Sequence, residues 1–453
     1  MAKSRAKFIC QNCGASFAKW SGKCENCGNW NTLVEQAPIL ESEAKSALAR
    51  GQASGQKLQT IGIDSIIPSD SKARLSTGFG ELDTVLGGGL FLGSVSLLAG
   101  QPGIGKSTIL MQICANIATS YKVLYISGEE SASQVKLRAQ RLGASSDRLH
   151  FAASTSGNDI AKTIESAEFN LVIIDSIQTL SLAEISSAPG TVSQVTNCGN
   201  LIIRAAKATD TAVIIVGHVT KEGTLAGPKV LEHLVDVVLN FEGDRYGGFK
   251  TIRAVKNRFG STNEVAIFEM AAQGLKEVEN PSAALLAERQ NTDGSIILAT
   301  LEGNRPILVE IQALVTASNF GYPKRTASGF DINRLNLLIA VIQRRTKLKL
   351  DDKDVFINVV GGLKIQDSAA DLAVCLAIAS AVAGRKLSED YVVFGEVGLG
   401  GEIRSAFRAD QRIAEAKKLG FKHAIAPASA KSSSKFIIPV RDLRQTLIKY
   451  VNQ

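Results

Sequence analysis

Short apolar runs alternate with amphipathic stretches through the middle of this chain. Runs bounded by Gly or Asp lie at Ser94–Ala99, Val123–Ser127, Leu171–Asp175 and Ala212–Gly217, and weaker ones follow at Val235–Glu242 and Thr251–Lys256. Helical periodicity fills the gaps at Lys106–Thr119, Ala132–Leu142, Asp159–Ala167 and Thr196–Thr209. Nearly all-apolar strands separated by helices predict a parallel sheet covered on both faces, so residues 58–274 read as an α/β domain. Residues 275–453 mix strands (Ser295–Leu301, Ile307–Ala313, Val355–Val359, Tyr391–Gly395) with helices (Ile332–Arg345, Ala369–Ala383, Gln411–Leu419), the pattern of an α+β domain. A Ser-rich stretch, Ala428–Lys435, reads as a loop. At the other end, residues 8–34 hold four cysteines and both tryptophans, Trp20 and Trp30. Residues 35–57 are rich in Ala, Ser, Gly, Gln and Glu without apolar period, as in a flexible linker.

The 453 residues are too many for one core, and 45% hydrophobic with 21% charged is a globular rather than a disordered composition. A formal net charge of +8 permits a polyanionic partner without requiring one. The longest apolar stretch, Ala369–Gly384, carries Asp371 and is too short to span a bilayer, so it reads as a core helix and no membrane association is expected. The basic N-terminus has no apolar segment of a secretory signal behind it. The cysteine pattern is not a disulfide framework, and a cytoplasmic location is expected.

Gly100-Gln101-Pro102-Gly103-Ile104-Gly105-Lys106-Ser107 matches G-x-x-x-x-G-K-[ST] in full, after an apolar strand and at the start of a helix. The glycines let backbone N–H groups curl around phosphate oxygens, and the helix N-terminus adds partial positive charge. Lys106 is placed to reach the β- and γ-phosphates of ATP. Ser107 offers a hydroxyl to Mg²⁺, with Thr108 beside it. The strand Leu171–Asp175 ends in a carboxylate about 70 residues later, where a phosphate-loop fold needs its second Mg²⁺-side group. Glu129 and Glu130 end the strand after the phosphate-loop helix. Paired acids here are either a solvated loop or N-cap feature, or they supply the base for the attacking water, with Glu129 preferred over Glu130 by position. His218 ends the Ala212–Gly217 run and either senses the terminal phosphate or is a packed polar strand end.

Two Gly-containing loops follow strand ends: Ile185–Asn200, with Pro189, Gly190, Gln194 and Gly199, and Val219–Lys229, with Lys221, Gly223, Gly227 and Lys229. Each either faces nucleic acid or is an ordinary surface loop. Lys256-Asn257-Arg258-Phe259-Gly260 sets two cations beside a glycine. By itself it is a basic turn; in an oligomer it is a candidate contact to a neighbour's nucleotide.

Cys10-x-x-Cys13 and Cys24-x-x-Cys27, with residues 14–23 between the pairs, suit four thiolates around a structural Zn²⁺. So short a segment cannot bury an adequate core, and metal binding of about 10–16 kcal/mol compensates. Trp20 and Trp30 either cover this ribbon or stack on bases or a partner.

With these motifs in place, the chain resembles the bacterial RadA (Sms) family of DNA repair proteins over essentially its full length. The resemblance rests on the four-Cys finger, Ser76-Thr77-Gly78-Phe79-Gly80-Glu81-Leu82-Asp83, Ser127-Gly128-Glu129-Glu130-Ser131, Gly217-His218-Val219-Thr220-Lys221-Glu222-Gly223, and the Lys256–Gly260 pentapeptide. It implies a RecA-like ATPase core assembled into a homo-hexameric ring. That ring is a DNA-dependent ATPase that binds single-stranded and branched DNA and promotes branch migration alongside RecA recombinase. Lys256 and Arg258 then become nucleotide contacts made in trans, and Lys221 and Lys229 fall on a DNA-facing loop. The C-terminal region resembles the Lon protease domain, whose Ser–Lys dyad is not matched. Ala369 falls at the nucleophile, with Ser368 one place early, and the lysine position falls near Asp410. The domain is therefore expected to be a proteolytically inactive scaffold. Arg344, Arg345, Lys347, Arg404 and Arg408 are either a DNA-binding face or an ordinary solvated one.

Overall fold

The computed structural model describes residues 7–10, 16–17, 19–25, 30, 32–36, 74–218, 230–243, 249–318, 322–430 and 435–451. The chain divides into two units, Met1–Phe241 with Arg253–Thr262, and Glu242–Ile252 with Asn263–Gln453.

The first unit opens with a three-stranded ribbon in which β1 (Lys7–Cys10) pairs antiparallel with β2 (Ser16–Phe17) and β3 (Leu33–Gln36). Among the described residues its buried cluster is Cys10, Cys24 and Leu33, with Phe8 and Phe17 packed against them.

Then come α1 (Gly80–Leu86), β4 (Val95–Gly100), α2 (Lys106–Ile117), β5 (Val123–Ser127), α3 (Ala132–Arg141), β6 (Leu149–Ala153), α4 (Gly157–Glu165), β7 (Leu171–Asp175), α5 (Val192–Thr209), β8 (Ala212–His218), α6 (Val230–Leu234), β9 (Val237–Gly243) and β10 (Lys250–Asn257). Within this unit the sheet order is β10-β9-β4-β8-β7-β5-β6, and every pairing from β9 through β6 is parallel. Strands β4, β5 and β7 are buried at every position, as strands covered on both faces must be. The edge strand β6 alternates between half-buried and exposed, which is why the apolar-run criterion passes it over.

The Ser76–Asp83 motif has a local structural task. The Asp83 carboxylate accepts from the Ser76 hydroxyl (2.5 Å), the Thr77 amide (2.8 Å) and the Thr77 hydroxyl (2.8 Å), fixing the turn into α1. Helix α5 starts at Val192, earlier than the periodicity indicated. Gln194 therefore lies in its first turn rather than in a loop, buried and bonded to the backbone of Leu182, Ile185 and Ser187.

The second unit contains the hairpin β11 (Val265–Ala271) and β12 (Gly274–Glu277), α7 (Pro281–Leu286), β13 (Ser295–Glu302), β14 (Arg305–Ala317), β15 (Arg325–Ser328), α8 (Ile332–Arg345), β16 (Lys353–Val359), α9 (Asp371–Ala383), β17 (Tyr391–Val393), β18 (Glu396–Val397), β19 (Ile403–Arg404), α10 (Ala409–Lys418), β20 (His423–Pro427), β21 (Ile437–Val440) and α11 (Leu443–Tyr450). Its mixed sheet runs β15-β16-β14-β13-β17-β20-β21. Helix α9 is buried on every side from Asp371 through Ser380, the expected core helix, and ends on Gly384 in the left-handed conformation (φ 60°). Among the described residues no helix is long and apolar enough to cross a membrane.

Two ion pairs are built into this core. Asp371 is held by the Arg334 guanidinium and by the Val397 amide (3.1 Å), and burial pushes its carboxyl above the ordinary range while Arg334 pulls it back. Arg412 is fully buried. It donates to the carbonyls of Ala299 (2.7 Å) and Phe407 (3.0 Å) and to Asp367 Oδ2 (2.6 Å). Removing one partner of such a pair leaves a desolvated charge behind. Arg412→Ala is expected to lower stability by about 3–5 kcal/mol, read as a fall in the urea midpoint followed by circular dichroism. Arg412→Met, which fills the space, still strands Asp367 and recovers only part of the loss.

Candidate functional site

Register brings the chemistry together. Gly100, the last residue of β4, lies opposite His218 of β8 and Phe241 of β9, and Ser127 of β5 lies opposite Asp175 of β7. All these strands run parallel, so their carboxyl ends share one edge, where an α/β sheet presents its ligand groups. A Cβ at Gly100 would sit 2.7 Å from the Phe241 carbonyl, so no side chain fits there. Gly103 (φ 79°) and Gly105 (φ 118°) take left-handed values that L side chains rarely adopt. Helix α2 starts at Lys106 with no side-chain cap, and of its first-turn amides only that of Thr108 is bonded among the described residues, to the Gly105 carbonyl (3.1 Å), so the helix start can face an anion.

Lys106 is buried, and its ammonium donates to the carbonyls of Gly100 (2.8 Å) and Gln101 (3.0 Å). Burial pulls its pKa down to about 8, against the opposing pull of Asp175 and Glu129. The Ser107 hydroxyl donates to Asp175 Oδ2 at 2.8 Å, and the Tyr125 phenol donates to the same oxygen at 2.6 Å. A hydroxyl and a carboxylate this close form a hard-oxygen pair suited to Mg²⁺. Glu129 accepts from the Ser176 hydroxyl (2.7 Å) and stands 3.6 Å from His218 Nε2. Glu130 is paired with Arg138 of α3.

These groups line one cleft of about 380 Å³, in which Pro102, Gly103, Gly105, Lys106, Ser107, Thr108, Glu129, Glu130, Asp175 and His218 meet. Gln101 belongs to the loop through its carbonyl, and Ile104 packs inward as its buried anchor. Four residues of the site escaped sequence reading: Tyr125, Ser176, Arg138 and Arg141, the last two lining the cleft. A signal was available for the arginines. The Ser131/Gln134 capping box starts α3, and residues 138 and 141, three apart, share a helix face. Arg138 Nη1 and Glu130 Oε2 are buried without a partner among the described residues, so this pair has unused capacity toward a ligand.

Lys256 and Arg258 lie elsewhere. Arg258 donates its amide to the Asp236 carbonyl (3.2 Å), and its guanidinium stands 3.3 Å from Asp236 Oδ1, while Asp236 Oδ2 accepts from the Val95 amide (3.1 Å). Val95 starts β4 and Gly100 ends it, so this cluster is about 17 Å along the strand from the phosphate loop at roughly 3.3 Å per residue. Lys256 donates to the carbonyls of Glu232, His233 and Val235, capping the end of α6, and burial lowers its pKa. Gly87 and Gly260 approach so closely that a Cβ on Gly87 would meet the Phe259 carbonyl at 2.7 Å, and Phe259 stacks on Phe91 at 4.7 Å.

Cys10 and Cys24, one from each pair, are buried in the same cluster, a convergence that fits a shared thiolate-bound metal. Cys13, Cys27, Lys221 and Lys229 lie outside the described residues. In the second unit Ala369 is buried, Asp410 lies in the first turn of α10, and the Ser368 hydroxyl donates to Glu396 at 2.9 Å. Arg345 bonds the Leu399 carbonyl, Arg404 pairs with Glu402, and Arg408 lies over the Phe407 ring, while Arg344 and Lys347 are exposed.

Lys106 makes nucleotide binding pH-dependent. Its pKa is about 8 in the free protein, and phosphate oxygens raise it, so the bound form holds a proton that the free form loses above that pH. ADP affinity should be flat below pH 8 and fall, by up to about tenfold per pH unit, above it. Calorimetry in buffers of different ionisation enthalpy should show proton uptake in that window, absent in Lys106→Ala.

Comparison with known proteins agrees with this geometry. The AAA domain family matches residues 67–224, the rubredoxin metal binding domain residues 8–35, and subunit ChlI of Mg-chelatase residues 334–430. The first two point to ATP and zinc as ligands. The chain is 47% identical over 429 residues to the DNA repair protein RadA of Halalkalibacterium halodurans, covering 94% of this chain and 93% of the relative. It is 48% identical to that of Bacillus subtilis (95% and 94% covered) and 48% identical to that of Pseudomonas aeruginosa (94% and 94%). The crystal structure of the RadB recombinase superposes on 45% of this chain and 100% of its own at 22% identity, with a TM-score of 0.37. On the strength of the near-full-length identity, the chain belongs to the RadA family of DNA repair proteins.

Proposed function

We propose that this protein is a DNA-dependent ATPase that processes recombination intermediates. In this reading it binds single-stranded and branched DNA and drives branch migration of RecA-made strand-exchange intermediates as a homo-hexameric, helicase-like motor. One observation carries the reading. Lys106, Ser107, Glu129, Asp175 and His218 meet in one cleft at the carboxyl edge of the sheet, while Arg258 stands at the opposite edge.

The amides of the Gly103–Lys106 turn take the phosphates, and Lys106 exchanges its two carbonyl partners for phosphate oxygens. Ser107 and Asp175 would hold Mg²⁺, which supplies charge neutralisation and orientation of the terminal phosphates when bound. Glu129, steadied by the Ser176 hydroxyl and His218, takes the proton of a water whose oxygen attacks the γ-phosphorus. The bond to the bridging oxygen of the β-phosphate breaks and ADP leaves. Arg138 and Glu130 close the cleft's far wall. His218 is followed directly in sequence by the loop of Lys221 and Lys229, so a change at the γ-phosphate has a covalent route to the residues assigned to DNA. Arg258 reaches a neighbouring subunit's cleft, since its own lies at the far end of β4. We assign residues 8–34 to a zinc finger, 35–57 to a linker, 58–274 to the RecA-like motor and 275–453 to a non-proteolytic Lon-like scaffold. Cys10, Cys13, Cys24 and Cys27 would hold Zn²⁺, which cross-links the ribbon when bound.

Lys106→Ala should bring DNA-stimulated ATP hydrolysis to background. Arg258→Ala should retain ADP binding and lose roughly 10³–10⁵ in turnover. Mixing the two inactive variants should restore partial activity, because some interfaces then pair an intact Lys106 with an intact neighbouring Arg258. No restoration would place Arg258's action within its own subunit. ATP turnover indifferent to DNA would favour a regulatory ATPase, and casein cleavage abolished by Ser368→Ala would favour a protease.

A further inference from the structure

The two tryptophans of the chain both lie in the ribbon, and neither serves its core. Trp20 is 58% exposed and Trp30 is 70% exposed, while the buried cluster is made by Cys10, Cys24 and Leu33 with two phenylalanines. Both indoles converge over Gly22, where an added Cβ would stand 3.7 Å from the Trp30 ring and 3.9 Å from that of Trp20. An isolated antiparallel bridge between Lys23 and Trp30 fixes the second ring, and the Lys23 ammonium lies 5.7 Å from its centroid. The Ser21 hydroxyl bonds the Lys23 carbonyl (2.6 Å) and tightens the turn between the rings. Leaving two large aromatic faces in water forgoes burial energy that packing them would supply. Their placement therefore points to a ligand with flat apolar faces.

Charge selects which ligand. Lys3, Arg5, Lys7, Lys19 and Lys23 outnumber Glu25 and Glu35 in the first 36 residues; exposed Lys19 directly precedes Trp20, and exposed Lys23 lies over the Trp30 ring. A polyanion whose bases offer π-faces meets both demands at once. Trp20 also lines a concavity of about 390 Å³ with Phe8, Leu33, Thr191 and Val192, at the start of α5 directly after the Gly190 loop. We infer that Trp20 and Trp30, with Lys19 and Lys23, form a base-stacking platform for single-stranded DNA on the ribbon. This rests on the DNA-motor reading and adds a second DNA contact outside the ATPase loops.

The test uses full-length, zinc-loaded protein. Because the chain has no other tryptophan, its intrinsic indole emission reports on this site alone. Oligo(dT) should quench that emission along the same curve as the anisotropy of a fluorescein-labelled oligo(dT). Trp20→Leu and Trp30→Leu should each lower oligo(dT) affinity about 5- to 150-fold, and Trp→Phe should restore most of it, since a π-face rather than apolar area is required. Zinc content serves as the fold control. Anisotropy that reports binding while emission stays fixed overturns the platform and leaves the motor reading standing. Leu variants that bind like wild type do the same. Emission that responds to RecA recombinase but not to oligo(dT) makes the rings a protein-docking site and also overturns it. No response in either signal removes both readings.

Discussion

The parallel register around β4 is the constraint from which the site follows. Gly100 is flanked by His218 on one side and Phe241 on the other, close enough that the Phe241 carbonyl excludes any side chain there. Because β4, β5 and β7 are buried on both faces, they have no surface to offer except their ends. Residues far apart in sequence, at 106, 129, 175 and 218, meet because each stands at or just beyond the carboxyl end of a strand in one parallel set. The apolar interior thus fixes polar geometry it never touches. A slip of one residue between β4 and β8 would invert every side chain on the slipped strand, a cost the buried core forbids.

The amino edge of the same sheet is organised by a different economy of hydrogen bonds. Asp236, buried, spends one oxygen on the Val95 amide and turns the other toward Arg258 and Lys207. Lys256 is tied to three carbonyls at the end of α6, while the Arg258 side chain remains 54% exposed. The two cations of the pentapeptide therefore do unlike things within the chain. Lys256 sets the loop's position by terminating a helix, and Arg258 is the one with room to leave its partner. The Gly87–Gly260 contact and the Phe91–Phe259 stack hold the loop from the other side. A guanidinium presented on so constrained a loop loses little conformational freedom on meeting a second anion, the condition under which a trans-acting charge is effective.

Much of this was legible in the sequence because the physics is local. The phosphate loop needs glycines at fixed offsets, and the Asp175 strand announces itself by four consecutive apolar residues before the carboxylate. Strand β6 was not legible, since an edge strand carries Leu149, His150 and Phe151 in a mixed environment and gives no uniform run. Strands β20 and β21 were missed for a related reason: each is short, and β21 contains Pro439, which reads as a breaker although an edge strand tolerates it. Tyr125 was invisible as a site residue because it sits mid-strand among apolar neighbours. Only the fold shows that its hydroxyl reaches Asp175, where burial and that carboxylate raise its pKa well above the usual phenol range. Arg138 was overlooked because its partner Glu130 lies two helical turns away across a cap, a distance that periodicity alone does not flag.

The segment around Ser368 shows why a resemblance in sequence need not carry over a chemistry. Asp367 accepts from the Leu301 amide, the Thr300 hydroxyl, the Ala369 amide and buried Arg412, and Asp371 holds the Val397 amide and Arg334. Both carboxylates flanking the serine are therefore employed in joining β13, β18, α8 and α10 to the start of α9. Ser368 itself donates to Glu396. A carboxylate accepts that hydrogen bond, whereas a Ser–Lys dyad relies on an amine base to take the proton from the hydroxyl. Adding a lysine near Asp410 would not by itself supply one, because α10 already directs Arg412 into this network, where a second cation would compete for Asp367. The turn is organised as a structural staple, in which Asp367, Ser368 and Asp371 all have partners.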